Sequence, residues 1–473
     1  MRLSRLTILN GSACTAVFAI ALLTASSVPE ASAQTQIDHN ALVVQLGQAL
    51  FNDHSLSEPA GMACVTCHDP DAGFSYPNSD VNQNLGPVPG VIPDRFGFRK
   101  PPTAAYAAYL PTGIPSFDAD VQAYVGGLFY DGRAADTVAQ AKAPLLNPNE
   151  MNNLLHNVGS PQMVVDKVRN GPERNLFRLV YGLNVFNRST GQVYELIAEA
   201  ISAYEKSDLV SPFTSKYDYY LAGQVDLTDD ELRGLREVTG SFTGRPGGWH
   251  YPINAHCVEC HGIPGYQTRT SDLWTNSCYA NLGVPKNPNN PYYTMTDSNS
   301  NPVGYNPLGA DFIDYGLGDF LYPLMGKPVG DLDEGDPLAI DGAFKAPTLR
   351  NVDKRPYAGF VKSYMHNGVF KSLEEVVHFY NTRNLTTVPG EVIDFTKPDP
   401  YAGLVGTPLW PHPEWPSPIT MINPQGLPND NDVNSMGGEQ IGNMGLSDYD
   451  EQCIVAFLKT LSDGYVPPRR KPH

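Results

Sequence analysis

Two short motifs carry the side chains in this chain that are best suited to chemistry. Each motif has two cysteines separated by two residues, with a histidine directly after the second cysteine. This pattern is typical of c-type haem attachment, in which both thiols bond to the porphyrin and the histidine binds the iron. A redox dithiol or half of a zinc site also pairs cysteines, but neither requires the adjacent histidine. The sequence therefore predicts two covalently bound haem c groups, held by Cys64, Cys67 and His68 and by Cys257, Cys260 and His261.

The first predicted haem has no nearby histidine for the opposite face of its iron. After His68, the next histidine in the chain is His156. His54 and His156 are the remaining histidines that could close this face from a distance. We therefore expect the iron bound by His68 to keep an open coordination position.

The start of the chain predicts export. Arg2 and Arg5 form a basic head, residues 16–25 are apolar, and Ala-Ser-Ala at 31–33 is a small-residue cleavage pattern. Because the apolar run is too short to span a bilayer, it indicates a signal peptide over residues 1–33 and a periplasmic protein without a membrane span.

Composition limits the partners and the disulfides. The chain has 473 residues and a formal net charge of −18, which argues against nucleic acid and anionic lipid and allows a basic protein partner. Of the seven cysteines, one leaves with the signal peptide and four carry haem, so that Cys278 and Cys453 remain. A disulfide between them is one hypothesis in an oxidising compartment, and two separate buried thiols are the alternative.

Hydrophobic periodicity predicts a mostly helical protein. Thr228 to Glu231 form a capping box ahead of a helix that leads toward the second haem motif. A helix likewise leads toward the first motif, so the two halves repeat one plan. This helix spans residues 41–51, and the other predicted helices span residues 134–143 with a stop at Pro144, 162–169, 191–206 and 447–461.

The repeated plan predicts tandem cytochrome c-like domains, each binding one covalently attached haem. The N-terminal domain would span residues 34–215 and hold the first haem, and the C-terminal domain would span residues 216–473 and hold the second. Two Pro- and Asn-rich stretches, at about 285–304 and 388–442, are read as long loop insertions in the second domain. Their aromatic residues favour ordered loops over the haem region.

Two further segments complete a family pattern. FYDGRAADTVAQAKAPLLNPNEM at 129–151 and FKAPTLRNV at 344–352, in order with both haem motifs, resemble the bacterial di-haem cytochrome c peroxidase and MauG family. The resemblance implies that Tyr130 lies between the haems, where the family usually has an electron-relaying tryptophan; a space-filling aromatic is the alternative. It also implies that Arg133 pairs with a haem propionate, and an ordinary salt bridge is the alternative.

The resemblance also implies how peroxide would be activated. Gln140 and Glu150 match the glutamine and glutamate that the family places over the open face of the first haem. Heterolysis of peroxide needs a proton moved between its two oxygens, and a partly desolvated glutamate suits this transfer. Without the family, Glu150 would be a first-turn acid on a helix after Pro148.

The opposite ligand of the second haem is implied by the segment LEEVVHFY at 373–380. Tyr380 falls at the ligand position, where peroxidases of the family use methionine and MauG-type enzymes use tyrosine. His378 and Met365 are rival ligands, although His378 should face elsewhere on a helix. His366 is expected to hydrogen-bond near the haems rather than to bind iron.

Some family features are not reproduced. Tyr106 replaces an asparagine of the inter-haem calcium site, and Val361 and Ser363 replace its Thr-x-Pro, so calcium is left open. A MauG tryptophan that passes electrons toward protein substrates is Ala255 here. Trp249, Tyr251 or the insertion tryptophans could replace it.

The resemblance implies a peroxide-dependent oxidoreductase. Hydrogen peroxide would produce a high-valent di-haem state that oxidises a substrate, and the MauG-type sites indicate a periplasmic protein as that substrate. One alternative is a cytochrome c peroxidase that receives electrons from a small cytochrome or cupredoxin. Another is a non-enzymatic di-haem electron carrier.

Overall fold

The computed structural model describes residues 30–119, 123–240, 255, 257–262, 273–330, 340–383, 410, 413–415, 442 and 444–468. Its main elements are helices joined by long loops. The helices are α1 Glu30–Phe51, α2 Cys64–Cys67, α3 Ser79–Asn84, α4 Thr137–Leu146, α5 Pro161–Asn170, α6 Arg174–Tyr181, α7 Thr190–Glu205, α8 Lys216–Leu221, α9 Asp229–Thr239, α10 Val258–His261, α11 Leu317–Met325, α12 Leu373–Thr382 and α13 Asp448–Lys459.

Six short strands form three antiparallel pairs. They are β1 Ser116–Asp118 with β2 Ala123–Val125, β3 Leu154–Leu155 with β4 Val158–Gly159, and β5 Tyr279–Ala280 with β6 Phe344–Lys345. In the last pair Tyr279 lies opposite Lys345. No helix within these described ranges is long and apolar enough to cross a membrane.

One helix contact occurs in both halves of the chain. A Cβ added at Gly47 of α1 would meet the carbonyl oxygen of Ala200 in α7 at 1.9 Å, and one at Gly234 of α9 would meet that of Cys453 in α13 at 1.9 Å. Each glycine therefore lets two helix backbones approach more closely than a side chain would permit. In both halves the glycine-bearing helix precedes a haem motif and its partner helix follows that motif, so the same kind of helix pair occurs in each half.

Two hydrophobic cores follow the two halves of the sequence. The first is built from residues between Leu46 and Val210, with Leu273 added, and the second from residues between Tyr217 and Leu461. Leu42–His473 forms one compact unit, in which both cores lie. The predicted division at 215/216 into two cytochrome c-like domains stays a prediction.

Helix boundaries follow capping chemistry. Thr228 accepts a hydrogen bond from the Glu231 amide in the capping box predicted for α9. The ends predicted for the helix 134–143 are wrong. Asp136 is the N-cap of α4 and accepts a hydrogen bond from the Ala139 amide, so the helix begins at Thr137, and it continues to Leu146. Pro144 is tolerated because it removes only one hydrogen bond, in the last turn.

Candidate haem and peroxide site

Two cavities contain the motif residues. The first cavity measures about 220 Å³ and the second about 230 Å³. The first is lined by Cys64, Cys67 and His68, with Phe51, Met62 and Leu145 around them. The second is lined by Cys257, Cys260 and His261, with Val238, Leu373 and Ile454 around them. Largely apolar walls with paired thiols and the motif imidazole beside them fit a covalently attached porphyrin, so both predicted haem sites are chemically suitable.

Both motif histidines are oriented by main-chain carbonyls. The Nδ1 of His68 donates to the Phe74 carbonyl at 3.1 Å. His261 Nδ1 lies 3.1 Å from the carbonyls of both Trp274 and Pro347. Burial lowers the pKa of His68 and lowers that of His261 to about 4. Each ring is therefore neutral with Nε2 left to bind a metal, which is the arrangement of an iron ligand.

Glu150 and Gln140 both line the first cavity. Gln140 lies on α4, whereas Glu150 lies in the turn that follows this helix. Burial raises the pKa of the Glu150 carboxyl, against the charge of Arg133 and a hydrogen bond with Asn147. The alternative of a first-turn acid on a helix is wrong, because Pro148 to Glu150 lie in a turn and the next helix, α5, begins only at Pro161. The structure thus brings a half-buried carboxyl and an amide to the cavity of His68.

Residues from the second half of the chain hydrogen-bond to the turn that contains Glu150. Asn149 Nδ2 donates to the Gly304 carbonyl at 3.0 Å, and Asn301 Nδ2 donates to Asn149 Oδ1 at 2.8 Å. Asn290 reaches the Phe98 carbonyl at 2.9 Å from the same stretch. The Asn-rich segment at about 285–304 is therefore an ordered loop that packs beside the first cavity.

Tyr130 lies in the wall between the cavities. Tyr130 is buried and lines both cavities. Lys100, Thr103 and Lys345 also line both. The Tyr130 ring makes an edge contact with His366 at a centroid distance of 6.5 Å. An aromatic side chain that borders both sites is placed where a relay between them would have to lie.

Arg133 takes part in a buried ion network that sequence reasoning missed. Its Nη1 contacts Asp131 Oδ2 at 2.6 Å, and Arg99 bridges Asp131 at 2.7 Å and Asp314 at 2.6 Å. Burial alone would raise the pKa of Asp131, but Arg99 and Arg133 together hold it below its usual value. The salt-bridge alternative for Arg133 is thus observed, and pairing with a propionate stays a prediction. Arg99 and Arg133 line the first cavity.

Tyr380 and His378 leave α12 on different sides. Tyr380 lines the second cavity, next to Cys257 and Cys260, and burial raises the pKa of its phenol. His378 Nδ1 instead contacts Glu451 Oε1 at 3.0 Å, and it does not line that cavity. Burial disfavours the phenolate, so the Tyr380 oxygen would lose its proton only next to a cation, and haem iron would be such a cation.

The other candidate ligands are placed as follows. Met365 lines the second cavity and stays a rival to Tyr380. His366 also lines it, but its Nε2 donates to Glu414 Oε2 at 2.7 Å and its ring stacks on Phe344 at 3.5 Å. His54 and His156 are exposed and line neither cavity.

The remaining cysteines do not pair. Cys278 and Cys453 are free buried thiols. The Cys278 thiol is hydrogen-bonded to Cys260, and this contact lowers the pKa of Cys278. The disulfide hypothesis is therefore wrong, and the alternative of two separate buried thiols is the observed one.

The proposed electron exits are only partly described. Ala255 is buried and lines the second cavity, whereas Trp249 and Tyr251 lie outside the described residues. Of the insertion tryptophans, Trp415 is buried in the same cavity wall. Trp410 donates to Thr382 Oγ1 at 3.0 Å. Most of the predicted 388–442 insertion and the predicted signal peptide up to residue 29 are also outside the described residues.

Two buried ionisable groups were not anticipated as site residues. Burial lowers the pKa of Lys345 to about 7, and its ammonium donates to the carbonyls of Gly126 and Gly127. Glu205 at the end of α7 lines the first cavity, and burial raises its pKa to about 8. Its Oε2 has no hydrogen-bond partner in the described part of the chain. Lys345 lies in the FKAPTLRNV segment quoted above, whereas Glu205 belongs to none of the quoted motifs.

Known proteins resemble the chain over most of its length. The sequence profile of the family described as di-haem cytochrome c peroxidase matches residues 41–226. The methylamine utilization protein MauG of Paracoccus denitrificans (strain Pd 1222) is 30% identical over 428 residues, which are 89% of each chain. The cytochrome c551 peroxidase of Nitrosomonas europaea is 27% identical over 76% of this chain and 79% of that protein.

A solved structure agrees with these sequence relatives. The diheme peroxidase BthA from Burkholderia thailandensis E264 superimposes with a TM-score of 0.63 at 27% identity, covering 89% of this chain and 86% of that one. The length and identity of the MauG match, together with this fold and the two motif-lined cavities, establish the family. The chain is an oxidoreductase of the bacterial di-haem cytochrome c peroxidase and MauG family.

Proposed function

We propose that the protein is a periplasmic di-haem c-type peroxidase that uses hydrogen peroxide to oxidise a substrate protein, as MauG-like enzymes of the family would. The observation that carries the proposal is the composition of the two cavities. The lining of the first cavity includes Gln140 and Glu150 and no histidine besides His68. The lining of the second includes the motif histidine His261 together with Tyr380, a candidate for the second iron ligand. One cavity is thus suited to react with peroxide and the other to remain closed.

The chain's own residues would hold the two haems and handle the peroxide proton. When bound, the haems supply iron that accepts peroxide and takes up two oxidising equivalents. Cys64 and Cys67 would hold the first haem and His68 its iron, with Cys257, Cys260, His261 and Tyr380 serving the second. Glu150 would take the proton from one peroxide oxygen and return it to the other, so that this oxygen leaves as water, while Gln140 orients the peroxide.

Tyr130 would connect the two sites. It borders both cavities, so an electron moving between them would have a short aromatic intermediate. A tyrosine normally gives up its proton when it is oxidised, because the phenol cation is very acidic. The transfer should therefore depend on a proton acceptor, which the tryptophan usual in the family would not need.

The rival function is a peroxidase that scavenges peroxide with electrons from a small cytochrome or cupredoxin. It is favoured by the similarity to the cytochrome c551 peroxidase, which covers three quarters of the chain (76%). The two functions share the site and differ in what collects the oxidising equivalents. The acidic composition suits a basic patch on either kind of protein partner.

Absorption and electron paramagnetic resonance spectra of the fully ferric holoprotein test the site. A high-spin haem beside a low-spin haem is expected, and two low-spin haems would contradict an open first cavity. Stopped-flow addition of peroxide then separates the two functions. A long-lived state that retains both oxidising equivalents without prior reduction supports the MauG-like function, whereas a strict need for prior one-electron reduction supports the scavenging peroxidase.

A further inference from the structure

A buried ammonium lies close to the second cavity. The Nζ of Lys362 donates to the carbonyl oxygens of Ala72 at 2.9 Å, Asn351 at 3.0 Å and Lys354 at 3.0 Å. Lys362 is 6% exposed and lines the second cavity. An ammonium has three hydrogens and no acceptor, so three carbonyls satisfy it completely. The three carbonyls form a cradle built for one compact cation.

The cradle joins segments that are far apart in the sequence. Ala72 belongs to the turn after the first haem motif, and the neighbouring Phe74 carbonyl orients His68. Asn351 lies in the FKAPTLRNV segment of the second half, and Lys354 follows that segment. A Cβ added at Gly73 would meet Asn351 Cβ at 2.9 Å, so the two backbones are in close contact there. The Lys362 ammonium therefore links the turn after the first haem motif to a loop in the second half of the chain.

The same cluster includes the positions at which the family resemblance implies calcium. Tyr106 donates to Asp463 Oδ2 at 2.7 Å, and Asn351 Nδ2 donates to the same oxygen at 2.8 Å. The other oxygen, Oδ1, accepts from the Thr214 amide at 2.9 Å. Lys362 itself stands between Val361 and Ser363, the residues in place of Thr-x-Pro. Each oxygen of the nearby carboxylate is thus already bonded.

These residues do not fit a calcium ion. Calcium takes six to eight oxygen ligands, usually with carboxylates among them. Here the carbonyls face an ammonium and the carboxylate is bonded to protein donors. No group of three or more His, Cys, Asp or Glu side chains suited to a metal occurs in the part of the chain that the structure describes.

We propose that the Lys362 ammonium is the resident cation of this junction, so that the protein binds no calcium between its two haem sites. The lysine supplies the positive charge and the three-way link between loops that a metal ion would otherwise supply. It does so covalently, as part of the chain, and cannot be removed by chelation.

The charge state of Lys362 follows from two opposing effects. Burial, together with the nearby charge of Lys100, lowers the pKa of Lys362 to about 7. The three carbonyl dipoles favour the ammonium, because hydrogen bonds to a charged form stabilise that form. A neutral amine would leave at least one buried carbonyl without a donor, which costs free energy.

The direct test measures calcium in the haem-loaded wild-type protein. After treatment with EGTA and gel filtration, mass spectrometry should find no stoichiometric calcium. The midpoint of thermal unfolding and the haem spectra should be the same with and without added calcium chloride. One calcium per chain, with a lower unfolding midpoint after its removal, would overturn the proposal. Neither readout depends on reaction with peroxide, so this proposal and the proposed function can fail separately.

A matched pair of variants tests the ammonium itself. Lys362→Met keeps the length of the side chain but removes all three donors, and it should lower the unfolding midpoint of the holoprotein by several degrees. Lys286→Met is the control, because Lys286 Nζ also donates to two carbonyls, of Ala310 at 2.6 Å and Phe312 at 3.0 Å, on a less buried loop. Equal midpoints for Lys362→Met and the wild type would contradict the proposal, whatever the metal content.

Discussion

At the scale of single residues, the role of Glu150 can be tested most directly. Its carboxyl is half-buried in the first cavity, and burial raises its pKa, so that it is a stronger proton acceptor than an exposed glutamate. Replacing it with glutamine keeps the shape but removes the carboxylate that would accept the peroxide proton and return it. Glu150→Gln should slow the reaction of the ferric protein with peroxide by about 10²–10⁴-fold in stopped-flow measurements.

The control for this substitution is Glu195→Gln. Glu195 is an acid on α7 whose carboxylate pairs with Lys142 at 2.7 Å, and its side chain is 46% exposed. Its loss should leave the rate unchanged. A wild-type rate for Glu150→Gln would remove Glu150 from the mechanism and leave Gln140 as the polar group that acts on peroxide.

Tyr130 gives a second prediction at this scale. Tyr130→Phe keeps the ring in the wall between the cavities but removes the phenol that can be oxidised at a moderate potential. Oxidising equivalents should then pass between the haems more slowly, as seen in rapid-freeze spectra after peroxide addition. Tyr130→Trp should restore the transfer and remove its dependence on solvent deuterium. Unchanged transfer in Tyr130→Phe would make this residue a packing aromatic only.

Sequence reasoning identified the residues of local motifs and missed those that depend on distant contacts. The histidines, cysteines and Tyr380 follow from short patterns, and the structure brings each set to one cavity. Arg99 could not be found this way, because its partner Asp314 is 215 positions away. The same holds for Lys362, whose carbonyl acceptors come from two loops. Ion networks and carbonyl cradles depend on tertiary packing, for which a single sequence carries no periodic signal.

At the scale of elements, α12 presents its two candidate ligands in different directions. Tyr380 lines the second cavity, whereas His378 binds Glu451 of α13. Tyr380→Met would exchange a hard oxygen ligand for a thioether that favours ferrous iron, so the reduction potential of the second haem should rise. Spectroelectrochemical titration of the holoprotein measures this shift.

His378→Gln on the same helix is the matched control and should leave the potential unchanged. If Tyr380→Met has wild-type spectra while Met365→Leu alters them, then Met365 is the ligand. The comparison therefore decides between the two side chains that the second cavity offers from separate elements.

The glycine contact between helices supports a prediction about stability. A methyl group at Gly234 would meet the Cys453 carbonyl oxygen at 1.9 Å and Phe457 Cβ at 2.8 Å, so α9 and α13 must separate. Gly234→Ala should therefore destabilise the holoprotein by about 1–3 kcal/mol or more in denaturant unfolding. Gly191→Ala on α7, where nothing lies within 4 Å, should be neutral or gain at most about 1 kcal/mol. Equal stability of the two variants would contradict the close crossing.

Elements were predicted best where capping and periodicity agree. The capping box at Thr228 and the apolar face of α7 both appear in the structure with ends within one residue of those expected. The C-terminal end predicted for α4 was wrong because Pro144 was read as a stop, although a proline in the last turn costs only one hydrogen bond. Loop packing, such as that of Asn149 with Asn301, follows no sequence period and became visible only in the fold.

At the scale of the whole molecule, the two cavities share one wall. Lys100, Lys345 and Tyr130 line both cavities, so cationic groups accompany the aromatic between them. Haem propionates are anionic, and lysine side chains near them would offset that charge. The exterior has the opposite character, because the chain as a whole carries a formal net charge of −18. The interior is thus suited to hold anionic cofactors and the surface to attract cationic partners.

This surface charge predicts how a redox partner is chosen. Opposite net charges steer association and raise its rate, and salt weakens the effect by shortening the screening length from about 30 Å at 0.01 M to about 8 Å at 0.15 M. Peroxide-dependent oxidation of a basic cytochrome should therefore slow by about tenfold or more over this range. An acidic cytochrome of similar potential should instead react slowly at low salt and faster as salt rises. If both partners respond to salt in the same direction, the net charge of −18 does not select the partner, and a local patch must do so.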